Sequence, residues 1–390
     1  MRRLLLITFS LFLLSGCWDH QEVEELGIVT GVGIDQSQED DEKLRVTNQY
    51  VIPSAVSTRP KGSSSGLSPF INETLEAGNV LDTIRDQSLY VGKPPYYYHL
   101  KVVVLSQELV EQESMLDLLF FFFRDHEIRR SVGLIVARDS AETLLSQSFL
   151  KDEVPSIQLE KISYNYLAKT ARMAPSVTLG GASKDFAHKK SFVIQLGDVF
   201  EGKVRIEGGA VIDAQKAKMV ATLSPEETEA YNWITEQSDA GVIQASTNGE
   251  EERFAYEIRD VTSKVKVRKE SGQLTYDISV HFQGKLGEDY SPPSSSFQPE
   301  YINKREKALQ ETLKKRLVMA MERAQHEYEV DFYEFMEPFR IKYVKEWYKV
   351  KDNWNEVFSE ATVNFDVQVE IDHFQDVGRK LPYNPPVEGD

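Results

Sequence analysis

One residue in 390 is a cysteine, and it stands close to the start of the chain, at position 17. No disulfide framework and no thiolate metal cluster can be built from it, so whatever this sequence folds into is held together by buried apolar surface. The composition supplies that surface, because 41% hydrophobic and 11% aromatic residues are the proportions of a globular protein and not of a disordered tail. A chain of this length holds two or three domains with cores of their own. A net charge of −17 argues against nucleic acid, which needs clustered Lys and Arg, and against electrostatic docking of the chain on anionic lipid.

The lone cysteine follows a leader. Arg2 and Arg3 precede an apolar run from Leu4 to Leu14, which closes on Leu14-Ser15-Gly16-Cys17. This is the layout of a secretory signal, and at about eleven residues the run is well short of the ~20 that cross a bilayer. The last four residues resemble the bacterial lipobox, whose small side chains admit a peptidase to the bond before an acylated cysteine. The expectation is that residues 1–16 are removed, that Cys17 becomes the first mature residue, and that diacylglycerol on its sulfur anchors the protein, since two acyl chains hold stably where one does not. No later stretch approaches the length of a membrane span; the nearest, Leu116 to Phe123, is about eight residues and contains Asp117.

Three sections follow. In the first, Ile28, Val32 and Ile34 lead into an acidic turn at Glu39 to Glu42 and out through Leu44, Val46 and Val51, the pattern of a hairpin. Pro53 to Pro69, rich in Ser, Gly and Pro, reads as an exposed loop. Helices near Leu81–Leu89, from Ser106 to about Asp125, and after a cap at Asp139 or Ser140 then alternate with strands at Lys101–Leu105 and Val132–Ala137, which predicts a partly parallel α/β layer. Leu116, Leu119, Phe120 and Phe123 share one helical face and are assigned to the core.

The second section begins at Ser191, with strands at Phe192–Leu196, Gly209–Asp213 and Met219–Leu223. An explicit helix start comes next: Ser224 as cap, Pro225 at the first helical position and Glu227 closing the box. Gly241 to Glu252 is a linker or a long hairpin. In the third section Phe254, Tyr256 and Ile258 alternate, as do Tyr276, Ile278, Val280 and Phe282, about a turn at Glu270-Ser271-Gly272. A long amphipathic helix with Ile302, Leu309, Leu313, Leu317, Met321, Ala324 and Tyr328 on one stripe covers the sheet, and Val363, Phe365, Val367, Val369 and Ile371 complete it with a period of two.

Motifs of chemistry find no support. Gly31-Val32-Gly33 lacks the third glycine and the helix start of a dinucleotide loop. Gly62-Ser63-Ser64-Ser65-Gly66 has the spelling of a nucleophile elbow but lies in a low-complexity loop. The seven histidines (His20, His99, His126, His188, His281, His326, His373) are dispersed, without the short spacings of a zinc site. The carboxylates from Asp35 to Asp41 lack the glycine and distal glutamate of a calcium loop and read as a solvated turn. Glu226 and Glu227 are explained by helix capping. The expectation is no catalytic residue, no metal and no cofactor.

After the lipobox the chain reads Cys17-Trp18-Asp19-His20-Gln21-Glu22-Val23-Glu24-Glu25-Leu26, then Gly31-Val32-Gly33-Ile34-Asp35. It continues through Tyr97-Tyr98-His99-Leu100-Lys101-Val102-Val103-Val104 and Phe123-Arg124-Asp125-His126-Glu127-Ile128-Arg129 to Gly208-Gly209-Ala210-Val211-Ile212, and ends on the long helix, Trp347, Trp354-Asn355, Phe358 and the final alternating strand. In this order the fragments resemble the spore germination C-subunit lipoproteins over essentially the whole chain. The resemblance implies a non-enzymatic subunit of a nutrient germinant receptor, on the outer face of the inner spore membrane beside integral membrane subunits of A and B type. It also implies three α/β-type domains. The expected fold is therefore mixed α/β and α+β, divided at 17–190, 191–250 and 251–378 with a loose tail at 379–390, the last domain an antiparallel sheet under a long amphipathic helix. Trp18 and Asp19, beside the lipid, serve either membrane-surface positioning and processing or contact with a subunit. A solute-binding lipoprotein of a nutrient uptake system is the rival reading.

Overall fold

A computed structural model describes residues 26–40, 43–53, 68–147, 153–167, 169–247, 252–289 and 299–373. The strands form two sheets, one of ten strands and one of four. The larger is built around β1 (Gly27–Gln36), β5 (Val102–Ser106), β6 (Gly133–Ala137) and β8 (Phe192–Phe200), which run parallel in the order β8-β6-β5-β1. Val102–Leu105 and Leu134–Ala137 are unbroken apolar runs because both faces of a central parallel strand are covered. On one flank β2 (Leu44–Val51) and β3 (Phe70–Ala77) add antiparallel to β1. On the other, β9 (Lys203–Asp213) and β10 (Lys218–Leu223) add antiparallel to β8. Two short strands, β4 (Pro95–Tyr96) and β7 (Val177–Thr178), pair with β1 and β6.

The helices that cover this sheet are α1 (Val80–Gln87), α2 (Gln107–Gln112), α3 (Met115–Arg124), α4 (Ala141–Ser146), α5 (Pro155–Ser163) and α6 (Leu179–Ala187). The single helix expected from Ser106 to Asp125 is two, because Glu113 is extended and Ser114 caps a new start by accepting from the Asp117 amide. The break resets the helical face. Met115, Leu118, Leu119 and Phe122 are buried, whereas Leu116 and Phe120 are 40% and 55% exposed. Phe120 therefore leaves the core and lies under the Arg124 guanidinium, 5.1 Å from its ring centre.

The strands assigned to a separate middle domain extend the first sheet, so no sheet boundary falls at residue 190. Phe192, Ile194, Ala210 and Ile212 face the core shared with β1 and β5. Val193 and Val211 point the other way, into the core of the second sheet, as the period of two requires. The capping box on α7 (Pro225–Ile234) forms as read: the Glu227 amide donates to Ser224 Oγ at 3.2 Å, and the Ser224 amide donates to Glu227 Oε2 at 2.9 Å.

In the second sheet β11 (Gly241–Ser246), β12 (Arg253–Glu270) and β13 (Gln273–Asp289) are antiparallel, so the stretch from Gly241 is a hairpin and not a linker. Ser271 and Gly272 have φ of 50° and 91°, the paired positive angles of a tight hairpin turn that only glycine takes freely. β14 (Thr362–His373) joins β13 in parallel, since the chain returns to its starting end through α8 (Pro299–Arg323), α9 (Met336–Lys342), α10 (Val344–Val350) and α11 (Trp354–Ser359). Leu309, Leu313, Leu317, Ala320 and Met321 form the buried stripe of α8. The same face buries Arg305, whose guanidinium lies 3.4 Å from the Tyr301 ring centre and donates two 3.1 Å bonds to Asp289.

Candidate functional site

Leu14, Ser15, Gly16, Cys17, Trp18 and Asp19 lie outside the described residues, as do Gly62–Gly66 and the tail after His373. The described chain opens at Leu26, and Gly27 is held at once by donating its amide to Pro94 O at 3.0 Å. Beside this entry lies a groove of about 370 Å³, walled by Leu26, Tyr50, Ile52, Ile71, Val91 and Lys93.

Asp35, placed by sequence in a solvated turn, is 6% exposed at the far end of β1. Its carboxylate accepts from the Ala141 amide at 2.7 Å, the Glu142 amide at 3.0 Å and Ser140 Oγ at 3.3 Å, so it ties the start of α4 to the sheet. Burial pushes its pKa above the ordinary carboxylate range in spite of those donors. Gly31 and Gly33 are explained in the same place. A Cβ on Gly31 would come within 2.7 Å of Ser156 Cβ, and one on Gly33 within 3.1 Å of Leu145 Cδ1, so the glycines admit α4 and α5 against β1.

A polar cleft of about 540 Å³ separates the start of β8 from the chain between Asp331 and Asn355. Two ion pairs cross it, Lys190 to Glu334 at 2.7 Å and Lys189 to Asp352 at 3.2 Å. Its floor is organised by Asp331, fully enclosed, which accepts from the Tyr333, Phe335 and Met336 amides at 3.1, 3.2 and 2.8 Å and from Trp354 Nε1 at 2.7 Å. Burial raises the Asp331 pKa against these donors. Sequence reasoning missed this residue, although a carboxylate inside the aromatic run Tyr328 to Phe335 was a visible signal. An adjoining hollow of about 900 Å³ shares Gln215, Asp352 and Asn355.

The junction between α7 and α8 carries further buried charges. Arg323 pairs with Glu227 at 2.7 Å, Tyr328 Oη donates to Glu227 at 2.8 Å, and Arg316 pairs with Glu229. Desolvation pushes Glu229 up to about 7, more than the Arg316 charge beside it holds it down. Among the described residues no three His, Cys, Asp or Glu side chains are grouped as a metal centre, and no helix is long and apolar enough to cross a membrane.

A parallel-centred sheet with a four-stranded sheet and a long helix docked on its β8–β10 flank defines a class of two-sheet α+β proteins without an evident reactive centre among the described residues. The chain belongs to the spore germination C-subunit family. Residues 19–199 match the family described as "Spore germination protein N-terminal domain", and residues 207–375 match "Spore germination B3/ GerAC like, C-terminal". It is 30% identical over 374 residues to spore germination protein B3 of Bacillus subtilis (strain 168), covering 95% of this chain and 97% of that one. It is 27% identical over 376 residues to spore germination protein A3 of the same organism, covering 95% and 97%. The solved structure titled "Crystal Structure of the GerBC protein" superposes with a TM-score of 0.61 at 25% identity, covering 90% of this chain and all of that one.

Proposed function

We propose that this protein is a lipid-anchored, non-catalytic subunit of a nutrient germinant receptor, held at the outer face of the inner spore membrane beside integral membrane subunits of A and B type. The observation that carries this reading is the match of both family descriptions, in order, from residue 19 to residue 375, directly behind a lipobox. In it Leu14, Ser15 and Gly16 present the cleavage bond, Cys17 carries the diacylglycerol, and Trp18 and Asp19, next to the lipid, serve either membrane-surface positioning and processing or contact with a subunit. The anchor confines the chain to two dimensions and raises its effective concentration beside its partners, so a modest interface suffices. The rival, a solute-binding lipoprotein, calls for two similar lobes about a hinge, whereas the two sheets here differ in strand number and order.

The test is Cys17→Ala. The variant should appear in the soluble fraction of spore lysates and the nutrient response should fall; a variant that stays with the membrane and germinates fully contradicts the reading.

A further inference from the structure

The chain carries 62 acidic against 45 basic residues, yet Arg340 to Lys351 holds five basic residues and a single acidic one, Glu346. This segment spans the end of α9 and all of α10. Helix α10 buries none of its residues, and Ile341, Val344 and Tyr348 are 69%, 53% and 68% exposed. Val344 and Tyr348, four apart, share one face of α10. Arg340 is engaged by Glu337 and Lys342 by the Val267 carbonyl. Lys345 and Lys349 are exposed and make no ion pair with any described residue. An exposed apolar face bordered by unpaired lysines and aromatic rings is the chemistry of an interfacial helix.

The position of the segment selects its occupant. Strands β1, β5, β6 and β8 run parallel, and the register Gly31–Val102–Gly133 with Ile135–Gln195 sets the start of β8 level with the first half of β1. Leu26 therefore enters, and Lys189 and Lys190 precede β8, at the same end of the sheet. The ion pair from Lys189 to Asp352 places the end of α10 there too. Three strand spacings, about 14 Å, separate β1 from β8. The linker from Cys17 to Leu26 reaches at most about 30 Å. A bilayer holding the lipid on Cys17 thus lies within reach of this end of the molecule.

We propose that residues 340–351 form a second membrane contact, in which Lys345 and Lys349 engage anionic lipid headgroups while Ile341, Val344 and Tyr348 enter the interfacial zone. The orientation rests on acylation at Cys17; the lipid chemistry of the segment does not. An anionic bilayer is favoured over an acidic protein because apolar and aromatic side chains are interleaved with the cations at the end where the anchor emerges.

The mature chain with Cys17→Ala, which cannot be acylated, should co-sediment with vesicles of phosphatidylglycerol and phosphatidylcholine, and not with phosphatidylcholine alone. Lys345→Gln with Lys349→Gln should weaken that binding roughly thirtyfold, and Tyr348→Ser should weaken it with both lysines in place. Absence of binding, or binding that the lysine pair does not alter, overturns the proposal. In spore membranes, a photo-crosslinker at position 348 should yield lipid adducts; adducts with polypeptide alone overturn it in favour of an acidic partner. Wild-type protein found soluble in lysates would refute the anchor instead, and the vesicle result would still decide the surface.

Discussion

Asp35 and Asp331 do the same work in different halves of the molecule: each places a carboxylate, buried, over several backbone amides that would otherwise face no acceptor. A buried amide stripped of its partner costs about 1–3 kcal/mol, and more where the acceptor was charged. Asp35→Ala strands the Ala141 and Glu142 amides, so it should lower unfolding free energy by about 2–4 kcal/mol. Asp35→Asn keeps one acceptor oxygen and should lose about half as much. Urea unfolding followed by tryptophan fluorescence checks both, and equal losses would mean that side-chain volume, not acceptance, is what the site requires. The sequence reading went astray at Asp35 because the neighbouring Glu39 to Glu42 are acidic and the local pattern is that of a turn. What distinguishes Asp35 is the start of α4, a hundred residues away in the chain.

At the scale of elements, close approach decides which residues are permitted. Helices α4 and α5 lie against β1 with Ser156 Oγ 2.9 Å from Thr30 Oγ1 and the Ser156 amide donating to Gln49 Oε1 at 2.9 Å. Gly31→Ala inserts a methyl at 2.7 Å from Ser156 Cβ and 3.0 Å from Leu145 Cδ2. It should destabilise by about 1–3 kcal/mol through overpacking. Gly78→Ala meets nothing within 4 Å and is the control, expected to change stability by under about 0.5 kcal/mol. Thermal unfolding of the pair separates packing from the general effect of replacing glycine. The elements themselves were legible: the hairpins, the parallel runs and the α7 capping box follow from period and capping chemistry. Leu116 and Phe120 were misassigned to the core, which Phe121, Phe122 and Phe123 do join, because Ser114 restarts the helix and a one-residue change of phase moves a side chain by about 100° around the axis.

The whole molecule is joined where α7, seated on β9, meets α8 of the second sheet, and Glu229 titrates in that junction. Its folded-state pKa of about 7 lies above the ordinary 4.5, so the folded protein binds more protons than the unfolded chain between those values. The stability that this group permits is greatest below pH 4.5 and declines as pH rises to about 7. Glu229→Gln cannot ionise, so the stability difference between wild type and variant should move in the variant's favour across that window. A difference that is flat from pH 4.5 to 7, measured by chemical denaturation, would reject this account of the junction. The three sections read along the chain became two sheets, because β8 pairs with β6 and carries β9 and β10 with it, while these strands turn their opposite face to the second core.

Sequence by itself determined what depends on neighbours in the chain: the strand and helix periods, the capping box at Ser224 to Glu227, the tight turn at Ser271 and Gly272, and, through ordered motifs, the family. Tertiary structure decided what depends on residues far apart: the burial of Asp35, Arg305 and Asp331, the union of the first and middle sections in one sheet, and the parallel placement of β14. The physical reason is that period and capping are set within a turn or two of backbone. Whether a charge is buried, and which edge a strand joins, is settled only when distant apolar faces are brought together to leave water.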